Sequence, residues 1–332
     1  MTTPIETTPG QSEAPPEAVL SGAGRKLIEG RSLGQIAWMR FKRDKVAVAG
    51  GVVVILLVLM AILARPIESI FDMDPNKFHQ NLVDPELLAP KGGWGGISWA
   101  HPLGVDPQYG RDMLARIIEG SWVSLLVATG ATILSNVIGT VLGIIAGYYG
   151  GWVDSAISRM MDIFLAFPLL LFAISISAAL QDGAFGLSGL PLRISVLIFV
   201  SGFFNWPYLG RIVRGQTLSL REREFVEASR SLGARGPFIL FRELLPNLVA
   251  PILVYSTLLI PTNILFEAGL SFLGVGIAPP QASWGNMLTS AVDYWQIDPE
   301  YMIVPGAAIF ITVLAFNLLG DGLRDALDPR GK

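Results

Sequence analysis

The 332-residue chain contains no cysteine. That removes disulfides, thiolate metal sites and a cysteine nucleophile together. Histidine is nearly as scarce: His79 and His101 are the only two, and both fall in one loop. No imidazole therefore stands within an apolar run to serve as an intramembrane base or ligand. Charged residues make up only 15% of the chain and nearly cancel at a net -3, which is too little basic density for a nucleic-acid partner. The phosphate-cradling pattern G-x-x-x-x-G-K-[ST] is also absent, which removes that mode of nucleotide binding from this chain.

What is present is apolar sequence: 52% of the residues are hydrophobic, mean hydropathy is +0.52, and the apolar residues come in long uncharged runs. That describes a membrane protein. A helix rising about 1.5 Å per residue needs about 20 residues to cross about 30 Å of hydrocarbon. Five runs qualify: Val46–Ala64, Ile163–Gln181, Ile194–Gly210, Leu244–Phe266 and Tyr301–Gly320. A sixth, Gly120–Val153, is longer than one crossing, so its span is expected near Val123–Gly147, with Tyr148–Trp152 as an interfacial turn. The uncharged stretch Ala268–Val292 is broken by Pro279, Pro280, Gly274, Gly276 and Gly285. It reads as an extracytoplasmic loop or a re-entrant plug, because unpaired backbone is not tolerated against lipid.

Six spans place both ends on one side, and 18 of the 24 Lys and Arg residues then lie on that side, which the positive-inside rule reads as cytoplasmic. The expected organisation is an all-α integral membrane protein. Residues 1–45 form a cytoplasmic tail and basic segment, 46–65 the first span, 66–120 an extracytoplasmic loop, 121–320 a core of five spans, and 321–332 a cytoplasmic end. The first 24 residues are rich in Thr, Pro, Glu, Gly and Ser and should be disordered. Beyond them Ile36, Trp38, Met39 and Phe41 alternate with Arg40, Lys42 and Arg43, which fits either an interfacial helix touching lipid or a plain positive flank. A cleavable signal peptide is not expected, since the apolar run is too long and begins too late.

The loop over 66–120 is far longer than ordinary connections in helix bundles and should carry structure of its own. Arg111–Glu119 places Leu114, Ile117 and Ile118 on one side, which suits a helix lying on the outer leaflet. Asp72, Asp74, Asp84 and Glu86 lack the oxygen-ligand spacing of a calcium loop, so no metal site is expected and a solvated acidic loop is the better reading. A docking surface for an extracytoplasmic partner is the alternative.

The segment 211–246 is the most informative. Ser219 followed by Glu222 has the spacing of a capping box, so a helix is expected from Leu220. Phe225, Ala228, Ser229 and Leu232 recur at three- and four-residue spacing and form a narrow face of small and apolar groups. Arg223 and Glu227, and Glu227 and Arg230, stand within helical pairing reach. Gly233 suits a left-handed C-terminal cap. After Gly236 and Pro237 a second short helix should carry Phe238, Ile239, Phe241, Leu244 and Leu245 into the membrane, stopped or kinked at Pro246. Composition alone leaves two readings: a helix shaped to fit a partner's groove, or an amphipathic helix resting on the inner leaflet.

The string Glu227-Ala228-Ser229, then Gly233, then Leu245-Pro246, resembles the EAA loop of ABC importer permeases. Ser229 replaces the usual Ala, and Glu243 stands where Ile is often found. The resemblance extends from about Phe41 to Arg330 and is closest to the C-type permease of the dipeptide and oligopeptide importers. It is carried by His101-Pro-Leu-Gly-Val-Asp106, Gly147-Tyr-Tyr-Gly-Gly-Trp-Val-Asp154, Leu165-Ala-Phe-Pro168, Ser271-Phe-Leu-Gly274, Ser283-Trp-Gly-Asn-Met287 and the run from Ala315 to Pro329, in order. It implies a type I ABC importer permease fold with a cytoplasmic coupling helix formed by Arg223, Glu224, Phe225, Glu227, Ala228, Ser229, Leu232 and Gly233. It also implies a B-type permease as heterodimer partner, two ABC ATPase subunits that bind ATP and Mg, and an extracytoplasmic substrate-binding protein. This chain would then hold no cofactor and no catalytic residue, and would sit in the bacterial inner membrane. The implied cargo is a dipeptide or oligopeptide, with glutathione or a nickel chelate as alternatives.

A translocation path must pass peptide groups and bind them weakly, and the spans offer Asn136, Asn205, Asn263 and Asn317 for it. The competing role for such residues is helix packing. Glu267 near the outer end of the fifth span faces either a cavity or the water interface. Pro251, Pro261, Gly269 and Gly274 make that span the one most able to bend. Two rival classes are disfavoured. An intramembrane hydrolase using Ser271 lacks G-x-S-x-G spacing and a histidine partner in the spans. A secondary transporter would carry coupling charges inside its spans.

Overall fold

The computed structural model describes residues 33–180 and 183–327. The tail expected over the first 24 residues, Gln181 at the end of the third expected span, and residues 328–332 lie outside that range. Among the described residues there is no β-strand, only isolated bridges such as Val83 with Pro90. The basic segment forms α1 (Leu33–Arg43), and Asp44 then caps α2 (Lys45–Ile62) by accepting from the Val46 and Ala47 amides. After α3 (Ala64–Ile70) and the outer loop come α4 (Met113–Tyr149), α5 (Gly151–Ala166), α6 (Leu169–Ala179), α7 (Gly189–Leu220) and α8 (Glu224–Ser231). A single turn, α9 (Gly236–Phe238), runs through a π-helical segment, Ile239–Leu244, into α10 (Leu245–Phe272). The chain ends with α11 (Trp284–Ala291) and α12 (Glu300–Leu327).

Five continuous helices are long and apolar enough to cross a bilayer: Lys45–Ile62, Met113–Tyr149, Gly189–Leu220, Gly236–Phe272 and Glu300–Leu327. The pair α5 and α6, bent by 75°, passes the same test of length and apolarity only when its two helices are taken together, and makes a sixth crossing if it is counted as one span. The straight span expected over Ile163–Gln181 is thus corrected. Phe167 precedes a proline and is held extended, so the helix stops at Ala166 and restarts at Leu169. The expected turn over Tyr148–Trp152 shrinks to Gly150, at φ +67°, because α4 continues to Tyr149 and α5 begins at Gly151.

The close packing at the centre comes from small residues. Gly139, Gly143 and Gly147 form one stripe on α4 against α7. A Cβ at Gly139 would stand 2.7 Å from the Trp206 carbonyl oxygen, and one at Gly143 would stand 2.7 Å from that of Gly210. Only bare backbone lets the two helices meet so closely, the usual device where no hydrophobic drive separates helix from lipid.

One further expectation changes at the outer end, and two are filled in. The surface helix expected over Arg111–Glu119 is instead the first turns of α4, with Asp112 as N-cap and Arg116 buried. Its guanidinium donates to the carbonyl oxygen of Pro280 at 3.3 Å, so the charge is met by the loop that folds over it. The acidic loop uses its carboxylates locally: Asp74 accepts from the Asn76 amide, and Asp84 from those of Glu86 and Leu87. These turn bonds hold the Asp84 carboxyl below its usual pKa. The broken stretch after Ala268 folds back into the molecule, as the re-entrant reading expects. There α11 is buried through Trp284, Gly285, Asn286 and Met287, and the Trp284 indole donates to the Ile117 carbonyl oxygen at 3.1 Å.

Candidate coupling helix and path-facing surface

The loop between α7 and α10 is built from its one apolar anchor outward. Val226 is 0% exposed and packs in a cluster with Ile144 of α4, Leu209 and Val213 of α7, and Ile239, Leu240 and Leu244 of the π-helical turn. The residues around it on α8 face outward: Phe225, Glu227, Ala228 and Leu232 are exposed, Leu232 by 88%, and Ser229 is half-buried. Arg223 is the N-cap residue and Glu224 opens the helix, so its two acidic groups, Glu224 and Glu227, sit in the first turn where the helix dipole favours them.

At the other end Gly233 has φ +80°. Its amide donates to the Arg230 carbonyl oxygen at 2.9 Å, and the Ala234 amide to that of Ser229 at 3.0 Å. Those two bonds are a Schellman cap, which requires a residue in the left-handed region at this position. The expected cap is therefore present, whereas the expected start is not. Ser219 lies inside α7, which continues to Leu220, and Glu222 pairs with Arg221 instead of capping. Among the described residues Glu227 makes no ion pair with Arg223 or Arg230; the Arg230 guanidinium lies 5.2 Å from the centre of the Tyr148 ring. This contact ties α8 to the end of α4.

Pro246 neither stops nor kinks the second helix. It occupies the first turn of α10, where its missing N–H would be unpaired in any case, and the π-helical turn before it absorbs the changed register. Ser229, Leu232, Gly233, Ala234, Arg235, Phe238 and Glu243 border an open cavity of about 530 Å³ beneath the helix. Two further links brace this end: Arg214 of α7 donates twice to Asp154 of α5, with Nη2 at 2.7 Å from Oδ2, and Arg221 donates to the Gly147 carbonyl oxygen at 3.1 Å.

Of the five polar residues expected near a path the structure brings two together, Asn205 donating to Asn263 Oδ1 at 3.4 Å, and places the others apart. Asn205 borders an open groove of about 300 Å³ with Tyr208, Tyr255, Leu258, Leu259 and Thr262, on the face shared by α7 and α10. Asn263 is buried and donates to Thr132 Oγ1 at 3.0 Å, and Asn136 donates to Ser256 Oγ at 2.6 Å; both join α4 to α10. Asn317 is half-buried on α12. Glu267 is 1% exposed, with Oε2 accepting from Ser124 Oγ at 3.0 Å and Oε1 from Ser271 Oγ at 2.8 Å. The same serines bind the re-entrant segment: Ser271 Oγ accepts from the Ile277 amide, and Ser124 Oγ from that of Trp284. Glu267 is thus the centre of a polar cage pinning α11. Sequence reasoning missed Val226, Tyr148, Tyr208 and Tyr255. The tyrosines carried a signal, a hydroxyl within an otherwise apolar run, whereas nothing about Val226 separates it from its apolar neighbours.

An all-helical subunit with a bent third crossing, a re-entrant outer helix and an exposed capped helix on one inter-span loop has the architecture of a type I ABC importer permease. Residues 139–332 match the family described as binding-protein-dependent transport system inner membrane component, and residues 32–90 match the N-terminal transmembrane domain of oligopeptide transport permease C. The chain is 42% identical over 295 residues to the glutathione transport system permease protein GsiD of Pectobacterium atrosepticum, covering 89% of this chain and 90% of that one. It is likewise 42% identical over 300 residues to GsiD of Escherichia coli O6:K15:H31, with the same coverage. An inward-facing structure of the MetNI methionine ABC transporter superposes with a TM-score of 0.50 at 21% identity, over 65% of this chain and 98% of that one, a likeness of fold. The protein belongs to the binding-protein-dependent inner-membrane permease family, as a C-type permease subunit of the peptide-importer group. It is a multi-pass inner-membrane permease component of an ABC importer.

Proposed function

We propose that this chain forms half of the translocation path of an ATP-driven importer of small peptides, with glutathione the first solute to test because the relatives named above are glutathione permeases. The other half is a B-type permease. Two ABC ATPase subunits bind ATP and Mg and dock on α8 through Arg223, Glu224, Phe225, Glu227, Ala228, Ser229, Leu232 and Gly233, and an extracytoplasmic binding protein delivers the peptide. Both termini are cytoplasmic, on the side of α8.

The observation that carries this reading is the form of α8: a short helix held by one buried valine and a glycine cap, with its small and apolar face left uncovered. The competing reading, a helix resting on lipid, is separated from this one by the charge-reversal test at Glu227. Force on α8 passes through Val226 to α7 and to the π-helical turn at the head of α10, and through Arg230 to Tyr148 of α4. Closure of the ATPase pair would draw two such helices together and tilt the spans outward as near-rigid bodies. Asn205, Tyr208, Tyr255 and Thr262 offer weak polar contacts along the α7 and α10 face. Asn136, Asn263, Asn317 and Glu267 act on the path by fixing the helices that frame it.

The test is purification of the intact complex in mild detergent, identification of co-purifying subunits, and ATPase stimulation by glutathione, dialanine or a nickel chelate presented with the binding protein. A second six-span permease, P-loop ATPases and stimulation by glutathione are expected. A lone protein without ATPases would overturn the reading. Glu227→Lys should weaken ATPase docking by charge reversal, and unchanged co-purification with unchanged stimulation would instead favour lipid contact.

A further inference from the structure

The outer loop and the turn before α12 enclose a second polar cavity, at the end of the molecule opposite α8. It has a volume of about 380 Å³ and is bordered by Ala89, Pro90, Trp94, Ile297, Asp298 and Glu300, among others. Asp298 is 3% exposed, and its buried carboxyl finds no donor but the neighbouring Glu300 carboxyl, with which it hydrogen-bonds by sharing a proton. Glu300 converges on the same place. A Cβ built on Gly95 would meet the Glu300 Cγ at 3.1 Å and Asp298 Oδ1 at 3.7 Å.

The basic residues nearby are engaged elsewhere. Lys91, between the lining residues Pro90 and Gly92, turns away and donates to the Asn81 carbonyl oxygen at 3.0 Å. Arg111 is spent on the buried Asp106, which it contacts through Nε at 2.7 Å. Burial, and then the neighbouring Glu300, push the Asp298 carboxyl up to about 7. Two carboxyl groups this close cannot both ionise unless a cation lies between them. Trp94 adds an indole that is 67% exposed on the wall of the cavity.

We propose that this cavity is a binding site for an organic cation, an ammonium or guanidinium group, held by Asp298 and Glu300 and covered by the Trp94 ring. The donor set separates this class from a metal ion. Hard divalent cations take about six to eight oxygen ligands, whereas the described residues hold no group of three or more acidic or histidine side chains suited to a metal. Two carboxyl groups and an indole face instead match the charge, the N–H donors and the weak hydration of an alkylammonium or guanidinium. The cation could reach the cavity on a free solute, as a peptide's α-ammonium, or on a Lys or Arg side chain of a protein docked at this face.

The experiment is isothermal titration of the purified, intact permease complex with two probes. Alanylalanine presents a free α-ammonium, and Nα-acetyl-arginine methylamide presents a guanidinium with both backbone ends blocked. At least one should bind, with affinity rising between pH 6 and pH 8 as Asp298 gives up its proton. Binding should fall about tenfold in Asp298→Asn and in Glu300→Gln, and about threefold in Trp94→Ala. Binding of alanylalanine alone identifies a solute as the source, and binding of the blocked arginine alone identifies a protein side chain. Absence of binding by both at about 10 mM, a level that reveals even millimolar affinity, would overturn the site, as would affinity unchanged in both carboxyl variants or displacement of the probe by equimolar calcium. Glu300 lies at the head of α12, so Glu300→Gln remains informative if Asp298→Asn disturbs the loop. The readout is binding alone, so a negative result leaves the importer reading untouched.

Discussion

At the head of the α9 and α10 helix the exposed groups of α8 are held in place by backbone, through a glycine cap and one buried valine. At the far end of the same helix the polar groups are buried and hold one another, with Glu267 accepting from Ser124 and Ser271 while those serines grip the re-entrant segment. The first arrangement leaves side chains free for another molecule and gives α8 few contacts of its own. The second ties three elements into one unit at the cost of burying a carboxyl group. A surface that must engage and release a partner suits the first, and a fixed outer frame suits the second.

The comparison can be broken first at the frame. Trp284 is fully buried and its indole N–H is paired, so Trp284→Ala should destabilise the outer end by about 3 to 5 kcal/mol, the usual cost of truncating a core aromatic. A lower melting temperature of the purified complex and poor accumulation in the membrane should follow; an unchanged melting curve would show that α11 is not integral. At the other end, Val226→Ala removes the anchor of α8, with a loss below the full burial value of about 1.5 to 3 kcal/mol for such a side chain. Solute-stimulated ATPase activity should drop while the protein still inserts and assembles.

Gly233→Val acts through the backbone, since a β-branched residue at φ +80° is strained by about 1 to 2 kcal/mol. No heavy atom lies within 4 Å of a Cβ built there, so the fold should survive. ATP hydrolysis should persist with transport lost, and normal uptake by this variant would remove α8 from the coupling role.

The remaining effect is in pH. Asp298 has its pKa raised from 3.8 to about 7, so the folded protein binds a proton there that the unfolded chain has already released. That contribution to stability is complete below about pH 4 and is lost as pH rises through 7. Asp298→Asn should flatten this part of the profile of melting temperature against pH; an unaltered profile would show that Asp298 is not titrating there.

The spans were legible because a bilayer demands length and apolarity together, and both are written residue by residue. The glycine cap was legible for a similar reason: Gly233 answers a backbone requirement that few other residues meet. The capping box at Ser219 was misread because its spacing also occurs inside a continuing helix, and only the extension of α7 to Leu220 decides between the two. Likewise Arg111–Glu119 has the period of a surface helix. Its burial depends on Pro280, which is 164 residues away from Arg116 in the chain and visible to no local pattern.

Sequence alone therefore determined the membrane class, the long apolar runs, the family resemblance and the loop that presents α8, since each rests on local composition or on short-range backbone chemistry. Tertiary structure decided which polar groups face a groove and which are locked inside. Asn205 and Asn263 look alike in sequence and hydrogen-bond to each other at 3.4 Å, yet the first also borders an open cavity while the second is buried against Thr132. It also brought Asp298, Glu300 and Trp94 around one cavity from segments some 200 residues apart. The physical reason is that a side chain's environment in a packed membrane protein is set by the neighbouring helices, and a one-dimensional pattern does not specify which helices those are.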